Sequence, residues 1–155
     1  MEELLESITP YLIMMGQILL SATLGFIIGW DRYAKSKPAG IKTYMYVCIS
    51  TCLITLISIY SVTQFAEMAD NVMMDPMRLA AQIVSGLGFL GAGVILKDGL
   101  NVTGLTSAAM IFFVGGVGIG IATGFYAITL MAVATSVIFS RVGNIIEEKV
   151  DGRST

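Results

Sequence analysis

Polar and apolar positions in this chain do not alternate; they segregate into long blocks. Charge-free stretches run over Tyr11–Trp30, Thr43–Ala66, Leu79–Leu96 and Gly99–Ser140. A helix rising about 1.5 Å per residue needs roughly 20 apolar residues to cross a hydrocarbon layer of about 30 Å. The first three stretches meet that need, and the fourth, 42 residues long, holds two crossings and a tight turn. The pattern predicts an all-α membrane protein. Five transmembrane helices form a bundle within 1–142, and a short tail covers 143–155. The first helix is expected from Thr9 to Trp30 with Pro10 in its first turn. The second runs from Thr43 to Gln64, with Tyr44, Tyr46 and Tyr60 as interfacial anchors. The third spans Arg78 to Leu96 and leads through a Lys97-Asp98-Gly99 turn to Thr103–Ile121. A break at Ala122-Thr123-Gly124 precedes the fifth, which ends at Arg141.

Composition sharpens this picture. Charged residues make up 13% of the chain, half of the roughly 25% usual in soluble domains. Eight of the nine basic residues fall on one side of a five-helix topology. These are Arg32, Lys35, Lys37 and Lys42 in the first loop, Lys97 in the third, and Arg141, Lys149 and Arg153 in the tail. Arg78 alone lies opposite, among Glu67, Asp70 and Asp75. The positive-inside rule then places the N-terminus outside and the C-terminus in the cytoplasm. Glu2, Glu3 and Glu6 stand where a secretory leader would carry cations, so the first helix is expected to stay in the mature protein. Cys48 and Cys52, one helical turn apart within a span, read as packing residues rather than a disulfide. The Met-rich segment holding Met68, Met73, Met74 and Met77 reads as an amphipathic surface piece, and Asn101-Val102-Thr103 as a chance sequon.

Three features bear on chemistry. Gly86, Gly88 and Gly91 match the text of a dinucleotide fingerprint, but no strand precedes them and they lie within a span. In a bilayer, glycines at this density point instead to close helix packing, or to a helix break lining a polar cavity. Gly116, Gly120 and Gly124 form a second small-residue face, and Gly25 with Gly29 a third. Each packs within the chain or supports a homodimer. The border charges Asp31 and Arg32 either cap a span, or Asp31 folds back towards the bundle and pairs with a Lys or Arg of the first loop. Asp75, Pro76 and Arg78 read as a helix start. There is no histidine, and no ionisable group stands near the middle of a span. Gln17, Gln82, Ser85, Thr106 and Ser107 are the neutral groups left to line a small cavity. Neither a Ser–His nor a Cys–His set supports hydrolytic chemistry, and no metal site, cofactor or nucleic-acid partner is expected.

The block Leu79-Ala80-Ala81-Gln82-Ile83-Val84-Ser85-Gly86-Leu87-Gly88-Phe89-Leu90-Gly91-Ala92-Gly93-Val94-Ile95, continued by Gly99–Ala109, closely resembles the MgtC/SapB membrane-protein family. So do Gly29-Trp30-Asp31-Arg32 and Lys37-Pro38-Ala39-Gly40-Ile41-Lys42-Thr43. The likeness runs from about Gly16 to Phe125 and covers the transmembrane part, without the soluble C-terminal domain of longer members. Two departures stand out: Asp31 replaces the usual Glu, and Met110-Ile111-Phe112-Phe113 lacks a common Trp. The resemblance implies a bacterial inner-membrane protein linked to low Mg²⁺, acid stress and virulence. It implies a regulatory role through a membrane partner such as the ATP synthase, with Mg²⁺ or small-solute transport as the alternative. By motif match, the residues it marks are Asp31, Arg32, Asp75, Arg78, Gln82, Gly86, Gly88, Gly91 and Gly93.

Overall fold

A computed structural model describes residues 1–33, 39–66, 75 and 77–151. Lys35, Lys37 and Pro38, the segment with Glu67, Met68, Asp70, Met73 and Met74, and also Pro76 and Arg153, lie outside the described residues. Five helices form: α1 (Glu2–Tyr33), α2 (Ile41–Ala66), α3 (Arg78–Val94), α4 (Leu105–Ala122) and α5 (Tyr126–Asp151). Two short strands, β1 (Leu96–Asp98) and β2 (Asn101–Thr103), join α3 to α4. Four of the helices are long and apolar enough to cross a membrane. The fifth, α3, has 17 residues, at the lower end of the roughly 17–25 that suffice.

The chain leaves α3 two residues earlier than the hydropathy suggests. Ile95 turns extended (φ −84°, ψ 117°), and the expected plain turn is an antiparallel hairpin pairing Leu96 with Thr103 and Asp98 with Asn101. Gly99 (φ 59°) gives the left-handed residue that a two-residue hairpin loop favours. Gly104 (φ 87°) closes the unit so tightly that a Cβ there would run into the Val94 carbonyl oxygen. At the far end α5 continues to Asp151, beyond the end expected at Arg141.

Close contacts fix the helix directions. Gly25 lies against Tyr44 and Met45, and Gly29 against Ile41, so α1 and α2 are antiparallel. Tyr44 faces Ser107 while Thr51 lies on Gly118, which makes α2 and α4 parallel. Leu87 covers Gly115 and Gly91 meets Ala108, so α3 opposes α4. One end of the bundle therefore collects the C-terminal ends of α1, α3 and α5, the start of α2 and α4, and the hairpin. Among the described basic residues, Arg32, Lys42, Lys97, Arg141 and Lys149 belong to that end, and Arg78 to the other.

The helix at the centre is α4, touched by all four others. Its buried face runs Ser107, Ile111, Val114, Gly115, Val117, Gly118, Ile121 and Ala122. A Cβ on Gly118 would strike the Cys48 carbonyl oxygen and the Thr51 hydroxyl, and would stand 3.0 Å from the Cys52 nitrogen. On α1, a Cβ at Gly25 would come within 2.8 Å of the Met45 Cα, and one at Gly29 within 2.7 Å of the Ile41 Cα. The packing expected of Gly25 and Gly29 is thus found, and it uses them up: α2 already occupies the face that a homodimer would need.

The glycines of α3 behave otherwise. Among the described residues, a Cβ on Gly86, Gly88 or Gly93 would meet nothing within 4 Å, and one on Gly91 would make only ordinary contact with Ala108. Close packing of these glycines within the chain is not what the structure shows, nor is a helix break, since α3 is continuous. The narrow buried stripe of Ala80, Ile83, Leu87 and Gly91 explains why. At helical spacing it leaves the other glycines on its two flanks, Gly86 toward the cleft beside α2 and Gly88 on the opposite side. Gly116 and Gly124 are likewise open, and only Gly120 of that predicted face has a neighbour, the Thr129 side chain.

Overpacking a tight core site costs typically about 1–3 kcal/mol, occasionally more. Gly118→Leu is therefore expected to lose most folded protein in detergent extracts, whereas Gly88→Leu is expected to yield folded protein at close to the normal level. Fluorescence-detected size exclusion reads both. Equal losses would place the two glycines in equivalent surroundings and contradict the packing.

Candidate functional site

On α1, Ser21, Gly25, Ile28, Gly29 and Arg32 follow one another at helical spacing, and all face the interior. Because Gly29 lets the first residue of α2 lie directly on α1, the last turn of α1 is drawn beneath α2. A terminal arginine would ordinarily snorkel to the membrane surface. Arg32 is instead only 3% exposed. Tyr44, from the first turn of α2, meets it, and Ser107, from the first turn of α4, meets Tyr44; both are fully enclosed. The Tyr44 hydroxyl faces Ser107 and the Arg32 guanidinium. It has no hydrogen-bond partner among the described residues, and neither do Nε and Nη2 of Arg32. Tyr44 thus corrects the sequence reading: it is an interior residue, while Tyr46 and Tyr60 are exposed as anchors should be.

A second polar group lies toward the other end of α1. The Gln17 side-chain amide donates to the carbonyls of Ile121 (2.9 Å) and Ala122 (3.3 Å) and to the Tyr126 hydroxyl (2.9 Å). The last carbonyls of a helix have no partner within it, so Gln17 satisfies the end of α4 and ties α1 to the α4–α5 turn. One turn on, Ser21 is buried beside Cys48 and Cys52, which are free thiols, as their reading as packing residues requires.

The residues marked in the sequence do not converge. Arg32 is buried at one end, with Asp31 half-buried beside it. Asp75 and Arg78 are exposed at the opposite end; the Asp75 carboxylate accepts from the Met77 amide at 2.9 Å in the turn before α3, but the N-cap is Met77, without a side-chain cap, rather than Asp75. Gln82 and Gly86 face a cleft of about 500 Å³ between α2 and α3, with Ser50 and Thr51 opposite. Gly88 and Gly93 point outward, and Gly91 is buried against α4. What sequence reasoning missed is the inward turn of Tyr44 and the packed pair Gly115 and Gly118.

Losing the Gln17 tether leaves the Ala122 carbonyl without its donor, at about 1–3 kcal/mol, while the Ile121 carbonyl still accepts from the Gly124 amide. Gln17→Leu is expected to lower the melting temperature in detergent, and Tyr126→Phe to lower it less because it removes one acceptor only. An unchanged melting temperature for Gln17→Leu would show that the end of α4 is satisfied otherwise.

Comparison with known proteins places this geometry in a family. The family model described as the MgtC family matches residues 18–149. An uncharacterized protein of Haemophilus influenzae is 39% identical over 145 residues, covering 93% of this chain and 61% of its own length. Protein SapB of Bacillus subtilis is 44% identical over 108 residues, 69% of this chain and 46% of its own. The putative magnesium transporter YhiD of Escherichia coli strain K12 is 36% identical over 110 residues, 71% of this chain and 51% of its own. The chain thus spans roughly half the length of the curated relatives it matches. No solved structure matches it significantly. With four helices able to span a bilayer and a family match over most of its length, the chain belongs to the MgtC family of multi-pass bacterial membrane proteins.

Proposed function

We propose that the chain is a non-enzymatic regulatory protein of the inner membrane that acts by docking onto another membrane protein. The observation that carries this reading is the outer face of α3. Gly88 stands open there, and a Cβ on it would meet nothing within 4 Å among the described residues; Gly86, about 200° round the helix, faces the cleft beside α2 instead. Large apolar side chains facing lipid need no explanation, but small residues in a span are what lets a second helix approach closely. The partner lies in the same bilayer, and the ATP synthase is the one the family resemblance points to. In this reading the end bearing Arg32, Lys42 and Lys97 faces the cytoplasm, because cations are retained on that side.

Transport is the second reading, favoured by the name of the Escherichia coli relative and by the cleft between α2 and α3. The polar side chains lining that cleft, Tyr46, Ser50, Thr51 and Gln82, include no carboxylate. Mg²⁺ sites usually use one or two carboxylates, so the cleft suits a neutral solute better than a divalent cation.

Purified protein in liposomes separates the two. The regulatory reading expects no saturable Mg²⁺ or solute flux above empty liposomes, and co-purification of one defined membrane complex from native membranes. Gly88→Leu, which leaves the fold intact, is expected to lose that complex and to fail in supporting growth at limiting Mg²⁺. Saturable flux that survives Gly88→Leu would replace docking with transport.

A further inference from the structure

We propose that the enclosed end of the bundle is a binding site for a phosphate-type oxyanion, held by the Nε–Nη2 edge of Arg32 together with the hydroxyls of Tyr44 and Ser107. Arg32 carries a permanent charge, since guanidinium does not lose its proton in proteins. A buried cation without a counter-charge is strongly unfavourable, and such groups are found paired. Here Nε and Nη2, which make parallel hydrogen bonds to two oxygens of one anion, have no partner among the described residues. The Tyr44 hydroxyl lies within reach of the guanidinium and of Ser107 but makes a well-formed hydrogen bond to neither.

Tyr44, Ser107 and Lys42 bring donors or positive charge to this end, and the half-buried Asp31 is the acidic neighbour of Arg32 among the described residues. The first turn of α2 begins beside Gly29 at Ile41, and the amide ends of a helix carry partial positive charge. The exposed Lys42 adds a full charge at the same border. Several donors converging from three helices match an anion with more than two acceptor oxygens, which a phosphate has and a carboxylate lacks.

Depth narrows the source. Arg32 closes the apolar span of α1. Trp30 is exposed one turn from Phe26, their rings 5.7 Å apart, as aromatic residues at the headgroup level are. The phosphate of an anionic phospholipid is abundant at that depth, and free inorganic phosphate shares its chemistry. The two free nitrogens are closed to solvent, so the anion enters by a local parting of α1 and α2 at this end.

The test is thermal unfolding of the full chain in a neutral detergent. One titration uses inorganic phosphate. The other uses phosphatidylglycerol against phosphatidylcholine, with lipid retention read by native mass spectrometry. The wild-type protein is expected to melt higher with one of these anions and not with phosphatidylcholine. A response to phosphatidylglycerol alone identifies a lipid headgroup, and a response to phosphate identifies the free anion. Arg32→Met is expected to be at least as stable as wild type without anion, because it removes two buried donors that have no partner among the described residues, and to lose the response. Anion binding should fall roughly tenfold or more, since a charged hydrogen bond is worth about 1.5–3 kcal/mol. Tyr44→Phe should weaken binding by a smaller factor, and Arg32→Lys should retain part of it. If Arg32→Met does not fold, these two variants decide. A wild type indifferent to both anions, or Arg32 and Tyr44 variants that respond as wild type does, would overturn the site.

Discussion

At Gly118 the backbones of α2 and α4 come so close that even a methyl group would strike the Cys48 carbonyl. The rest of the bundle depends on that approach. It brings Thr51, Thr55 and Cys52 inside, where Thr51 and Thr55 return their hydroxyls to carbonyls of their own helix at 3.1 and 2.8 Å. Lipid tails are as apolar as leucine, so helices in a membrane associate through close contact and polar pairing rather than through hydrophobic burial. Once α2 is seated on α4, Gly25 and Gly29 bring α1 onto α2, and Gln17 fastens α1 to the end of α4. Leu87 then fills the groove at Gly115. In contrast, α5 is held through little more than Thr129 and Val133 among its buried residues. It presents most of its surface to its surroundings.

The same packing produces the polar end. Had α1 ended a turn away from α2, Arg32 would have reached water along its own stem. Seated beneath the start of α2, it cannot, and Tyr44 and Ser107 close over the same space. A tight backbone contact at Gly29 is thus converted into an enclosed positive charge three residues later. The two candidate surfaces serve different ends of the molecule's chemistry: small residues on α3 suit another helix, and the enclosed donors suit an anion.

Much of the architecture was legible in the sequence because length and hydropathy are enough to count spans. The block of basic residues also marked one end of the bundle correctly. Rotation about each helix axis was not legible. Every residue of α4 from Met110 to Ala122 is apolar or glycine, so no polar stripe distinguishes its packed face from its outer face. The regular spacing of Gly116, Gly120 and Gly124 drew attention to a face that is largely open, while Gly115 and Gly118 do the packing. A turn of about 100° per residue likewise separates Asp31 from Arg32. Hydropathy does not say which of the two turns inward; Arg32 is enclosed and Asp31 is half-buried.

The central claim, that Gly115 and Gly118 rather than Gly116 form the packed face of α4, can be tested directly by cysteine cross-linking in membranes. Cys48 and Cys52 are first replaced by alanine, and Leu87→Cys is then paired with either Gly115→Cys or Gly116→Cys. The account predicts rapid intramolecular disulfide formation on mild oxidation for the Leu87–Gly115 pair, and little for Leu87–Gly116. Equal rates for the two pairs, or cross-linking through Gly116 alone, would contradict it.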